Sequence, residues 1–387
     1  MKWSSIQLQT HGFCRTFHFK LMARLFLGFA LLSASEFCNA SGTASVGDVP
    51  KMAKGTSMHA ELKEVGGIRE DDDISSMEFS PTTKELAVGT FQTRHINLWD
   101  WRKGKIAKTL MKPPVNFDFT SGDGIRYSPD GQLLAVAHGL ASKENGASVV
   151  SIFNVSTGAT VQELAEPLGG GINSKIAFSP DGKTLYRTYD SRNSPNQFTA
   201  YSTVTWKLLR GLRVLPLQVG ALAISSNGKF AALGGFLFGP HASRQAQIAI
   251  VDLEKGEIVK TIDDAFPITN VVQQLAWHPD GVHIAAGAIV GGTYSGPDAV
   301  RVFESESGAV VARESASSAK ILALRYTADG KYLIESGVEG SVNIWDGLHS
   351  TLIKRIANKR ANALAVSIDG RYLAISDGNR ASVFELP

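Results

Sequence analysis

The chain has 387 residues, of which 39 are Lys or Arg, 36 are Asp or Glu and two are Cys. Both cysteines (Cys14 and Cys38) and the whole basic excess (Lys2, Arg15, Lys20 and Arg24 against Glu36) fall in the first 40 residues. The remainder holds 35 basic and 35 acidic residues and no cysteine. That excludes disulfides, a thiolate nucleophile and a cysteine metal site there, and gives no bulk electrostatic reason for a nucleic-acid partner.

Met22-Ala23-Arg24, the apolar run Leu25 to Leu32 and a small, polar stretch ending Cys38-Asn39-Ala40 have the order of an export signal. Cleavage is expected after Ala40, and a start at Met22 accounts for residues 1–21. The alternative is a buried helix or an uncleaved anchor; the run is too short to span a bilayer, which takes about 20 apolar residues. Residues 41–57 are small and polar and predict a disordered leader. The mature protein, residues 58–387 being its one folded domain, is then expected to be periplasmic or secreted, without a transmembrane span.

From there the sequence repeats. An apolar residue followed by a tight polar turn occurs at Phe79-Ser80-Pro81, YSPDG (127–131), FSPDG (178–182), ISSNG (224–228), WHPDG (277–281), YTADG (326–330) and VSIDG (366–370), with starts 40 to 53 residues apart. A period of that size means one supersecondary unit that cannot bury its apolar face alone. After each turn come short runs rich in Val, Ile, Leu and aromatics, such as Leu86 to Gly89, Ile96 to Asp100 and Ile106 to Leu110 in the first unit. These predict strands bounded by Gly, Asp or Asn, four to a unit, as in propeller blades. The last unit has three strands (Ala363 to Val366, Tyr372 to Ser376, Ser382 to Leu386). The strand-length segment His59 to Val65 is expected to pair with Ser382 to Leu386, because an open ring exposes unpaired edges.

The order apolar-Ser-Pro-Asp-Gly, Leu-Ala-x-Gly, Ile-x-Leu-Trp-Asp resembles the WD-repeat family over residues 57–387, as a divergent, exported member of bacterial type. The resemblance implies an all-β fold: a seven-bladed β-propeller of four-stranded antiparallel blades, its last blade closed by an N-terminal strand. The Trp-Asp pair is literal at Trp99-Asp100 and Trp345-Asp346; Phe153, Tyr201, Val251, Phe303 and Phe384 take the Trp position elsewhere. The family's Gly-His pair is missing from every unit, so its His-Ser-Asp-Trp network is not expected. The resemblance also implies a non-enzymatic scaffold for a protein partner, expected to be a monomer without a cofactor.

The residues offer two kinds of site. Second-to-third-strand connections are long in four consecutive units: His138 to Ala147, Asp190 to Gln197, Gly235 to Ala246 and Gly287 to Pro297. They hold Lys143, Arg192, Phe236, Phe238, His241, Arg244 and Tyr294, and the connections before the first strands add Phe117, Phe119 and Phe266. Aromatics and Arg are the residues enriched at binding hot spots, which points to a docking face; the alternative is that Phe236 and Phe238 fold back on their own blade. The second kind is a metal site in a propeller-type hydrolase or lactonase. It requires Asp71, Asp73, Asp118, Asp123 and Asp264 to converge at the channel mouth, where calcium would find oxygen ligands; Glu70 belongs to the same acidic run. His278 and His283 flank one turn, a spacing open to zinc but also ordinary for exposed side chains. His138 reads as a packed strand histidine, and Gly169-Gly170-Gly171 as a connection with no helix to bind phosphate. Neither Cys-x-x-Cys-His, Gly-x-Ser-x-Gly nor His-Glu-x-x-His occurs.

Overall fold

The computed structural model describes residues 62–387 except 92–94, 112–116, 120–123, 141–146, 167–174, 190–196, 215, 239–243, 264, 267–269, 291–298, 315–319, 358 and 360. The export-signal and leader assignments therefore lie outside the described residues. All regular structure described is β-strand, in seven antiparallel sheets.

Strand β1 (Glu64–Arg69) precedes the first blade, which is β2 (Ile74–Phe79), β3 (Glu85–Thr90), β4 (Ile96–Asp100) and β5 (Lys105–Met111). Blade two holds β6 (Phe117–Phe119), β7 (Ile125–Tyr127), β8 (Leu133–Leu140), β9 (Ala147–Asn154) and β10 (Thr160–Glu166), with β6 and β7 both paired to β8. Blade three is β11 (Ile176–Phe178), β12 (Thr184–Thr188), β13 (Phe198–Ser202) and β14 (Leu208–Leu212). Blade four is β15 (Gln218–Ile224), β16 (Phe230–Phe238), β17 (Arg244–Asp252) and β18 (Glu257–Ile262). Blade five is β19 (Asn270–Trp277), β20 (His283–Val290), β21 (Val300–Glu304) and β22 (Val310–Glu314). Blade six is β23 (Ile321–Tyr326), β24 (Tyr332–Gly337), β25 (Ser341–Asp346) and β26 (Leu352–Ala357). In blade seven β27 (Leu364–Val366), β28 (Tyr372–Asp377) and β29 (Arg380–Glu385) are completed by β1, in the order β1-β29-β28-β27. The inner strands touch in sequence, β2 to β7, β11, β15, β19, β23, β27 and back to β2, so the ring is closed.

The burial pattern explains why the sequence folds this way. Middle strands are buried along almost their whole length, as in β24 and β25, because a neighbouring blade covers each face. Outer strands such as β14 and β26 are largely exposed. The apolar residues form seven clusters, each between two successive blades, so no blade has a core of its own.

The repeated turn joins first and second strands. In blade two the Ser128 hydroxyl donates to Asp130 Oδ1 (2.6 Å) and accepts the Leu133 N–H (2.9 Å), while the Gln132 N–H donates to Asp130 Oδ1 (3.0 Å). The pairs Ser179–Asp181, Ser225–Asn227, Thr327–Asp329 and Ser367–Asp369 repeat it. Glycine ends this turn because φ there is positive, +69° at Gly131 and +74° at Gly330, a region that side chains disfavour.

The closing strand is present but displaced from its expected place. The pairing runs from Glu64↔Phe384 to Arg69↔Arg380, so only Glu64 and Val65 of the expected segment are in the strand, and His59 lies outside the described residues. Gly66 and Gly67 hid it, since glycine is depleted in strands. Their backbone position requires glycine: a Cβ on Gly66 would lie 2.8 Å from the Trp101 ring, and one on Gly67 2.9 Å from the Ala381 carbonyl. Trp101 is buried against Phe79 (centroids 6.0 Å) and Tyr372 (5.1 Å), sealing blade seven to blade one.

Removing residues 62–69 exposes the β29 edge and uncovers Trp101. The truncated protein should unfold roughly 5 °C or more below the full chain and associate as its concentration rises, by calorimetry and sedimentation.

Candidate functional site

The buried polar groups come first, because they fix the strands that carry the surface. In blade one the Glu70 carboxylate accepts the Trp99 indole N–H (2.5 Å) and the Asn97 side-chain amide (2.9 and 3.1 Å), and the Thr109 hydroxyl donates to Asn97 Oδ1 (2.7 Å). In blade six Glu335 accepts Asn343 Nδ2 (2.8 Å) and the Trp345 indole (3.3 Å), and Arg355 Nε donates to Asn343 Oδ1 (2.8 Å). The two Trp-Asp units thus bury a carboxylate against their Trp where the resemblance led only to a missing histidine network. The structure corrects the placement of Glu70, which is buried beneath the first blade rather than part of an acidic mouth. Burial raises its pKa, partly offset by the bonds from Trp99 and Asn97.

Blade two has a third version. His138, packed as expected, lies 2.8 Å from Ser151 Oγ. Burial, with the nearby Arg187 charge, pulls its imidazole down to about 3, so it is neutral. Arg187 is itself fully buried; it donates to the carbonyls of Leu164 (2.8 Å) and Ser148 (2.6 Å) and lies over the Tyr189 ring, tying blade three to blade two.

Several residues expected in connections are strand residues. Phe117, Asp118 and Phe119 form β6, with Phe117 opposite Leu140 and Asp118 opposite Gly139. Phe236, Phe238 and Arg244 stand on the β16–β17 hairpin, paired through to Phe238↔Arg244. The long connection of blade four is mostly ladder, because the apolar run Phe236-Leu237-Phe238 continues the strand instead of ending it. Phe236 is half-buried. Phe266 is buried against Phe303, 6.4 Å between centroids, so it is a core residue. Lys143, Arg192, His241, Tyr294, Asp123, Asp264 and the run Gly169-Gly170-Gly171 lie outside the described residues, as do the side chains of Phe117, Asp118, Phe119, Phe238 and Arg244.

Asp71 and Asp73 are exposed. Among the described residues they join no group of three candidate ligands; the one such group is His278, Asp280 and His283. The structure corrects the expectation for that pair: His278 is buried, not an exposed turn side chain. Sequence reasoning also missed a cavity at the turn end of the channel, lined by Glu78, Arg126 and Arg325 on inner strands. Their signal was a charged residue inside a short apolar strand, as in Ile125-Arg126-Tyr127. Among the described residues no helix is long and apolar enough to cross a membrane.

This arrangement is a seven-bladed β-propeller, and its repeated turns with the pairs Trp99-Asp100 and Trp345-Asp346 resemble WD repeats. No known family profile matches the chain. A segment is 32% identical over 107 residues to the human U3 small nucleolar RNA-associated protein 4 homolog, covering 25% of this chain and 14% of that protein. The mouse protein of that name is 27% identical over 107 residues, with the same shares. The chain thus spans 14% of the length of these curated relatives.

Because Glu70 has a raised pKa, the folded state holds its proton more tightly than the unfolded state. Its contribution is complete below the ordinary Glu value and is lost as pH rises through the raised one. The melting temperature of Glu70→Gln relative to wild type should therefore climb as pH increases from 4, and a pH-independent gap would contradict this. Trp345→Phe removes a donor from buried Glu335 and should cost about 1–3 kcal/mol in denaturant unfolding.

Proposed function

We propose that this propeller is a non-enzymatic scaffold that docks a protein partner on the face opposite the repeated turns, across blades two to five. The supporting observation is the uneven height of that face. The β16–β17 ladder extends to Phe238↔Arg244, and β8 and β20 run on to Leu140 and Val290. Blades six and seven close at once, with Gly337 separated from Ser341 and Asp377 from Arg380 by a short turn. A rim built on paired strands is rigid, so binding orders few residues. The equal numbers of acidic and basic residues after residue 40 favour a protein over a nucleic acid, although the relatives carry a small nucleolar RNA in their name. The Met22 to Ala40 segment supports export to a periplasm or the exterior.

The mature chain is used to capture partners from its own cells by cross-linking, beside a Phe236→Ala, Phe238→Ala variant and a variant with residues 239–243 replaced by Asn-Gly. Recovery of the principal partner should fall about tenfold or more in both variants with unchanged melting. Equal recovery would overturn the docking face. N-terminal sequencing should start at Ser41; an intact segment before it would overturn export.

A further inference from the structure

The seven turns act as internal controls for one another, and blade five departs from them. In blades two, three, four, six and seven, a Ser or Thr hydroxyl pairs with an Asp or Asn two residues later. In blade five His278 replaces the hydroxyl residue, and His283 stands where the other turns place Leu133, Thr184, Phe230, Tyr332 and Tyr372. The backbone is unchanged: the His278 N–H donates to the His283 carbonyl (2.8 Å), as the Ser128 N–H does to Leu133.

The carboxylate of Asp280 divides its work. Oδ1 accepts the N–H of Val282 (2.7 Å), as in the other turns, and also that of His283 (3.0 Å), which elsewhere goes to the hydroxyl that His278 replaces. Oδ2 lies 2.6 Å from His283 Nδ1 and 3.0 Å from His278 Nδ1. The second ring nitrogen of His278, Nε2, is 3.2 Å from the Gly330 carbonyl. A carbonyl only accepts, so Nε2 carries the proton and Nδ1 of the neutral ring has a lone pair. That pair also accepts the Asp280 N–H at 3.2 Å. In the neutral ring the Nδ1 lone pair and a carboxylate oxygen lie 3.0 Å apart, and the His283 imidazole reaches the same oxygen at 2.6 Å.

We propose that His278 Nδ1, His283 Nδ1 and Asp280 Oδ2 form a site for a divalent transition cation of the Zn²⁺, Co²⁺ or Ni²⁺ kind. The cation takes the three lone pairs; the His283 Nδ1 proton passes to water while Nε2 takes one from water, so the ring binds as its neutral Nε2–H tautomer with no net proton change. The donor atoms lie within 4.8 Å of one another. A tetrahedral cation bonded at about 2.0–2.1 Å sets neighbouring donors about 3.3 Å apart, a small spreading of the 2.6 and 3.0 Å that now separate the two Nδ1 atoms from Asp280 Oδ2. Two imidazoles with one carboxylate select such cations over Mg²⁺ and Ca²⁺, which take oxygen ligands.

The surroundings match a ligand shell. A metal-bound histidine ordinarily donates its other N–H to a carbonyl or carboxylate, which His278 does at Gly330 of blade six. Its ring stands edge-on to Tyr326, 4.9 Å between centroids and at 89°. His278 is buried while Asp280 is exposed and His283 half-exposed, so the site opens to solvent on one side and leaves a coordination position for water or a partner's side chain. Glu304, opposite His283 in the β20–β21 ladder, adds negative charge nearby.

The test uses the full chain, freed of any affinity tag, titrated with ZnCl₂ by calorimetry and with CoCl₂ by visible absorption. The variants His278→Ser and His283→Leu restore side chains that other blades carry, and Asp280→Asn keeps the turn as Asn227 does in blade four. Wild type should bind one more equivalent than each variant, with at least about tenfold weaker binding in the variants and loss of the tetrahedral cobalt bands. Metal-free melting of His278→Ser should match or exceed wild type, which separates a lost ligand from a lost fold. Absence of Zn²⁺ binding by wild type, or equal stoichiometry and cobalt spectrum in His278→Ser, would overturn the site.

Discussion

Unpaired strand edges govern this molecule. A four-stranded blade has two, and a ring hides the inner ones by crowding the first strands around a channel. The remaining danger is the seam, where β29 would offer a bare edge to solvent. The chain answers by returning β1 to β29 before the first blade begins. Because every apolar cluster lies between two blades, opening the seam would strip one face from blade seven and one from blade one together. Gly66, Gly67 and Trp101 fit the seam tightly, and the Glu70 carboxylate just beyond it anchors Trp99. Closure and blade-one anchoring are therefore parts of one device.

The two ends of the ring are built differently. At the turn end, each of five blades repeats the same hydroxyl–carboxylate or hydroxyl–amide turn, and the turns gather around one channel mouth. Uniformity there makes the two histidines of blade five conspicuous. At the other end the strand pairs stop at unequal heights, and among the described residues the longest of these ladders carries Phe236. A rigid ring with one regular end and one uneven end suits display rather than movement.

The repeated turn made the blade count legible, and the Val- and Ile-rich runs located most strands, because both are local properties. Misplaced features depend on contacts distant in sequence. β1 contains two glycines that read as a strand end until Trp101 is seen against them. Glu70 stood in one acidic run with Asp71 and Asp73, and only the fold brings Asn97 and Trp99 to it. The Gly235 to Ala246 stretch read as a loop because Gly235 interrupts it, yet the ladder continues through Phe238. Trp101 follows the Trp-Asp pair directly; that second tryptophan was a visible sign of a seam residue and was passed over. His278 was legible by name but not by burial, which comes from Tyr326 and Gly330 of the next blade.

Hydrogen exchange measured by mass spectrometry tests ring closure most directly. Peptides covering 64–69 should be protected as strongly as those covering 380–385 and should lose protection together in denaturant, since each strand pairs the other. Rapid exchange of 64–69 beside a protected 372–385 would mean that the seam is open and would contradict this account.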